Sequence, residues 1–201
     1  MNVRRFLGGL LALFALGANT AWAFELGELM ALLGQQKSGQ ANFTEQRFVR
    51  GFDGPIEAAG TLSFTSPDRL ARETTSPRTE SMVVEGNQLT LSRGGRTRSL
   101  ALDSMPELQG MVEAMRSTLN GDAQTLQRYF RSTLGGGRNN WTLDLQPVEE
   151  RLAAQVQSVR LTGRGGEVLG IEMVFRGGDR SAMNIVPVPQ ARGAATVRSP
   201  Q

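Results

Sequence analysis

The sequence predicts an α+β fold in which a curled antiparallel sheet of about ten strands is covered on one face by helices. Three observations carry this. Apolar and polar residues alternate over short runs through residues 43–101 and again through 141–185, as in strands buried on one side only. Gly-containing turns separate the runs, at Gly86-Asn87, Gly94-Gly95 and Gly177-Gly178, so neighbouring strands join as antiparallel hairpins. Two stretches interrupt the alternation with apolar residues at helical spacing, one near the start and one in the middle.

Leu26, Leu29, Met30 and Leu33 place a helix over residues 25–36, ending at the polar, Gly-containing stretch Lys37 to Gly39. Phe43 leads into the strand "FTEQRFV", Gly51 to Pro55 turns the chain, and Ile56 to Thr65 forms a second strand. In that strand Leu62 and Phe64 share one face, while Thr61, Ser63 and Thr65 share the other. Arg69 to Thr75 carries little apolar content, and "SMVVEGNQLTLSRGGRTRSLAL" supplies three short strands.

The middle is helical. Ser104 and Glu107 fit the S-x-x-E capping box, with Pro106 in the first turn. Leu108, Met111, Val112, Met115 and Leu119 then form one stripe that ends at Gly121. Asp122 caps a shorter helix through Phe130. After Gly135-Gly136-Gly137 the period returns to two, with Trp141, Leu143 and Leu145 on one face, then Leu169, Ile171, Met173 and Phe175, then Met183 and Ile185. Residues 188–201 have no period and are expected to be a disordered tail. An antiparallel sheet of this size curls, and helices are the natural cover for its concave apolar face.

The first residues address the chain to the envelope. "MNVRR" is a charged n-region, "FLGGLLALFALGA" an apolar h-region, and Ala21-Trp22-Ala23 an A-x-A site, which predicts a signal peptide over 1–23 cleaved after Ala23. A retained membrane anchor would need a longer apolar run, of roughly 20 residues. The expected location is the periplasm, with one domain over residues 24–187. With no Cys in the chain, lipidation of a mature N-terminal cysteine is excluded.

Composition excludes whole classes of chemistry. The chain has no His and no Cys, which removes most metal sites, the Ser-His-Asp and Cys-His mechanisms and thiol redox chemistry. The reading is therefore no metal, no cofactor and no catalytic residue. Of the 22 basic residues Arg4 and Arg5 belong to the leader, and 19 acidic residues nearly balance the rest. The high isoelectric point is no sign of nucleic-acid binding, and none is expected.

The order of motifs resembles a known family. "ANFTEQRF" is similar to the first strand of the LolA family of periplasmic lipoprotein carriers. Gly60-x-Leu62-x-Phe64 followed by Pro67, Pro77, Val83-Val84, Gly86 and Leu89 is similar to that family's G-x-L, P, P, V-x-D-G-x-x-L succession. The resemblance covers most of residues 25–187, and the style of "DRLARETTSPR" and "LSRGGRTRSL" is that of the LolA-related branch. It implies an unclosed antiparallel barrel, a half-barrel of about 10–11 strands, with a helical lid over a hydrophobic cavity for acyl chains. The implied cavity residues are Phe43, Leu62, Phe64, Leu108, Met111, Met115, Leu119, Leu143 and Met173. The implied partners are the acyl chains of a lipid, a lipidated metabolite or a lipoprotein, an inner-membrane exporter of the ABC or RND/MMPL type, and an outer-membrane acceptor, served by a monomer.

Two departures from the family pattern carry expectations. Ser66 stands where many carriers have an arginine that holds the lid, so Ser66 is the expected lid-contact position, on a lid that opens readily. Ser63, Ala71, Thr90 and Ser92 stand where the family is richer in aromatics, which favours a lipid or lipidated metabolite over a lipoprotein.

Duller readings stay open beside these. The methionines Met105, Met111 and Met115 suit a lid that repacks around varied chains, or plain core. Arg69, Arg72, Arg78, Arg93, Arg96 and Arg98 suit a basic rim for acidic headgroups, or a solvated strand surface. Asp144 and Glu149-Glu150 suit a charged turn better than the acid and base of a hydrolase. An envelope-stress sensor or scaffold of the same fold is the alternative function.

Overall fold

The computed structural model describes residues 24–189. The expected leader and all but the first two residues of the expected tail lie outside them. Helix α1 (Leu26–Leu33) is followed by six strands, β1 (Ser38–Phe48), β2 (Ile56–Thr65), β3 (Arg69–Ser76), β4 (Glu80–Glu85), β5 (Gln88–Arg93) and β6 (Arg96–Ala101). A 3-10 turn (Leu102–Ser104) leads into α2 (Pro106–Asn120) and α3 (Ala123–Tyr129). Then come β7 (Phe130–Gly137), β8 (Asn140–Pro147), a short α4 (Glu150–Gln155), β9 (Val156–Arg164), β10 (Glu167–Phe175) and β11 (Arg180–Pro187).

All eleven strands form one sheet in the order β6-β5-β4-β3-β2-β1-β11-β10-β9-β8-β7, with antiparallel pairing in each registered pair. Hairpins run outward from β1 to β6, and from β11 back to β7. The sheet is not closed, and β6 and β7 are its two edges. The order has a mechanical consequence. The link from β6 to β7 must cross from one edge of the sheet to the other, and that link is the helical stretch α2–α3.

Register sorts the faces. Phe43 pairs with Ile185 and Gly60, Ala41 with Leu62, and Leu70 with Phe64 and Val84, so these side chains share the concave face. Three buried clusters line it. One joins α1, α3 and α4 to β8 and β9 through Leu29, Leu126, Trp141, Leu143 and Leu152. A second joins Val112 of α2 to Val84, Leu89 and Leu102. The third, Phe43, Met183 and Ile185, lies on the central strands between them.

Local structure departs from the sequence reading at four places. Helix α1 ends at Leu33, where the Gly34 N–H bonds to the Met30 carbonyl, and β1 already starts at Ser38. The N-cap of α2 is Met105, without a side-chain cap bond, and Pro106 opens the helix; the Ser104 hydroxyl instead donates to the Ala101 carbonyl at 2.6 Å. The Gly135-Gly136-Gly137 run is not a break but the end of β7, which pairs residue by residue with β8. Glu149 is the N-cap of α4, accepting from the N–H groups of Arg151 and Leu152. The remaining expectations for the middle of the chain agree: Gly121, at φ 75°, stops α2, and Asp122 caps α3 by accepting from the Thr125 N–H.

Candidate functional site: a groove under the crossing helix

Helix α2 bears on the sheet along two flanks and leaves the middle open. Its Leu108 and Val112 pack on β3–β5, and its Met111 and Ala114 pack into the cluster around α1 and β8. At 3.6 residues per turn, Met115 falls between these two flanks and Leu119 falls beside Leu108 and Val112, while Gln109 and Glu113 lie on a polar side of the helix. Yet Met115 is 38% exposed. On the sheet, Leu62, Ile171 and Met173 are only half-buried although they point to the concave face. These partly exposed apolar side chains on α2 and on the concave face mark the candidate groove.

The nine residues expected to line a cavity are distributed among the clusters and the elements between them. Met111, Leu143 and Met173 belong to the α1 side, Leu108 to the α2–β5 side, and Phe43 and Leu62 to the central cluster. Leu143 is fully buried in the wall. Phe64 is buried at the end of β2, and Leu119 is half-buried at the end of α2. A depression of about 590 Å³ is lined by polar residues such as Thr44, Gln46, Glu57, Thr162, Glu172 and Asn184 together with apolar ones such as Ala58, Leu169, Ile171 and Met183.

The end of α2 is latched. The Ser66 hydroxyl donates to Asn120 Oδ1 at 2.7 Å, and Asn120 Nδ2 donates to the Pro67 carbonyl at 2.6 Å. Arg116, itself buried, donates through Nε and Nη2 to the Asp68 carbonyl at 2.8 and 2.6 Å, and through Nη2 to the Gly86 carbonyl at 2.8 Å. The Asp68 carboxylate accepts the Gly86 N–H, tying the two turns together. This differs from the sequence reading of a loosely held lid. The guanidinium is present, but it reaches from the helix to the sheet turns, not from the residue before the proline. Its signal in the sequence was an arginine beside an apolar helical stripe.

Sequence reasoning also missed Glu45. It shares the concave face of β1 with Phe43, two residues away, and is 3% exposed. Ser181 donates to it at 2.5 Å, Arg72 at 2.6 Å, and Arg47 lies 3.6 Å away. Burial alone pushes this carboxyl up, but the hydrogen bonds from Ser181 and Arg72 and the charges of Arg72 and Arg47 outweigh it and hold it below its ordinary value. A carboxylate in phase with a buried phenylalanine was the available signal.

Other singled-out residues resolve into structural roles. Asp144 holds Arg160 in a two-pronged pair at 2.6 and 3.3 Å, and Glu149 is engaged as the cap of α4. Arg69 and Arg93 pair with Glu85 and Glu80 on the sheet. Arg78, Arg96 and Arg98 are exposed. Ser63 pairs with Ala71, and Thr90 with Val83, in phase with Thr61 and opposite to Leu62. These positions face away from the groove, as does Ser92, so the thinning of aromatics there does not reshape it, and the preference for one cargo drawn from it lapses.

The structure is thus an open antiparallel half-barrel crossed by a helix. The sequence matches the family model described as outer membrane lipoprotein carrier protein LolA-like over residues 18–201, and the chain belongs to that family. Among solved structures it is similar to a LolA superfamily protein from Nitrosomonas europaea, at 12% identity, covering 83% of this chain and 92% of that one, with a TM-score of 0.46. It is also similar to an outer membrane lipoprotein-sorting protein domain from Vibrio parahaemolyticus, at 10% identity, 85% and 93% coverage and a TM-score of 0.43. No curated protein matched the sequence. Among the described residues no helix is long and apolar enough to cross a membrane.

Proposed function

We propose that the protein is a periplasmic carrier that holds the acyl chains of a lipid, a lipidated metabolite or a lipoprotein in the groove between α2 and the concave face, and conveys them from the inner to the outer membrane. The observation that supports this reading is partly exposed apolar surface on both elements: Met115 of α2 is 38% exposed, and Leu62 and Met173 on the concave face are only half-buried. Each methylene moved from water onto such a surface contributes roughly 0.8 kcal/mol, so a long chain is held without any reactive group. Export and cleavage after Ala23 belong to the same proposal, as do an inner-membrane exporter and an outer-membrane acceptor.

Displacement of a fluorescent fatty acid tests it. The wild-type protein should bind the probe, and the double variant Leu62→Asp/Met115→Asp should lose it by at least tenfold while its circular dichroism remains native. Unchanged binding in that folded variant refutes the groove assignment.

A further inference from the structure

A groove for hydrocarbon has no need of an ion pair, yet one is set into its floor. Glu45 and Arg72 stand on the concave face, and Arg72 is paired across the strands with Leu62 on one side and Met82 on the other. Its guanidinium lies over the Phe43 ring, 4.5 Å from the centroid. Placing charges among apolar groups costs several kcal/mol per ion, and a hydrophobic pair would fill the same volume without that cost. Glu45 pairs with Arg72 at 2.6 Å, and the more exposed Arg47 lies 3.6 Å away. Arg72 is incompletely engaged. Nη2 binds Glu45 and Nε binds the Thr74 hydroxyl at 3.4 Å, two contacts for a group with five N–H donors. Its side chain is 23% exposed, whereas that of Glu45 is 2% exposed. The carboxylate is thus a buried orienting group, and the guanidinium is the part a ligand can reach.

We infer that Arg72, held in place by Glu45 and Phe43, receives the terminal oxyanion, carboxylate or phosphate, of an amphiphile whose chain lies in the groove. The inference rests on the carrier reading and narrows it to ligands with an anionic end. A guanidinium over an aromatic ring among apolar side chains is weakly hydrated, and a planar fork suits both oxyanions. The chain then runs along the apolar floor, and the oxyanion meets the N–H donors of Arg72 that Glu45 and Thr74 leave unused.

The test is competition for a groove-bound fluorescent fatty-acid probe by oleate, methyl oleate and oleyl phosphate, in the wild type and in Arg72→Gln. The wild type should prefer the anions to the ester by about tenfold or more, the discrimination of a charge-assisted hydrogen bond. Arg72→Gln should bring that ratio to near one. Should the single variant misfold, Glu45→Gln/Arg72→Gln removes both charges together and should show the same collapse. Tighter binding of oleyl phosphate assigns a phosphate headgroup, and tighter binding of oleate assigns a fatty acid. Equal wild-type affinity for acid and ester, or a preference that survives the variants, overturns the inference and leaves the carrier reading standing. Failure of every amphiphile, the ester included, to displace or bind overturns both.

Discussion

Glu45 concentrates the electrostatics of the concave face in one side chain. Because its carboxyl titrates below the ordinary value when folded, its contribution to stability is complete above the ordinary carboxylate range and is lost as pH falls through the folded value. The wild-type melting temperature should therefore drop on acidification below about pH 4.5, partly through this group. Glu45→Gln should be less stable at neutral pH by about 1–3 kcal/mol, since a hydrogen-bonded charge is replaced by a neutral amide. It should also show a shallower decline with acid, and thermal melts across pH 3–7 on both proteins check the sign. A variant that tracks the wild type at every pH would show that Glu45 is not coupled to folding. The period-two pattern was enough to read Glu45 as in phase with Phe43. Its partners were not legible, because alternation identifies a face and not the neighbouring strand.

Among the elements, α2 is the one under mechanical demand, and its C-terminal end is anchored twice. Arg116→Ala leaves the Asp68 and Gly86 carbonyl groups without their donor and should cost about 2–4 kcal/mol, against about 1 kcal/mol for Ser66→Ala. Hydrogen exchange should show residues 106–120 losing protection in Arg116→Ala while β9 and β10 keep theirs; equal loss in helix and strands would mean that α2 opens only with the whole fold. The second anchor is a backbone contact. Gly121 sits at φ 75°, and a Cβ there would lie 2.3 Å from the Met30 carbonyl oxygen. Gly121→Ala should thus destabilise by about 2 kcal/mol or more, through both the left-handed backbone and the clash with α1. Chemical denaturation measures it, and a neutral result would deny the tight approach of the two helix ends.

At the scale of the whole molecule, the fold is two wings of hairpins joined at one seam. Strands β1–β6 form one wing and β7–β11 the other, and the β1–β11 pairing from Ala41–Pro187 to Phe48–Arg180 connects them. A chain truncated after Phe175 would lack that seam and the Met183 and Ile185 part of the central cluster. Such a chain should lose cooperative unfolding altogether, and calorimetry would reveal the absent transition. A persistent sharp transition would show that the wings fold independently. The groove depends on the same seam, since its floor is the strip of β1, β2, β11 and β10 between the two packed flanks.

Periodicity and turn chemistry determined most of the elements by themselves. Hairpin turns made the sheet antiparallel, Gly121 and Asp122 marked the break between two helices, and the phase of Phe43, Leu62 and Phe64 named the inner face. β7 was missed because three glycines read as a breaker, although its pairing along β8 holds the extended backbone. The cap role of Glu149 was missed because paired carboxylates also suit a turn. Only the tertiary structure decided what lies beside what. Arg116 meets Asp68 at a separation of 48 residues, Glu45 meets Arg72 at 27 and Ser181 at 136. Local pattern records how each segment divides its side chains between water and core. The meeting of distant segments is settled by the global packing of the clusters, because every hairpin wing offers an apolar face that several partners could cover.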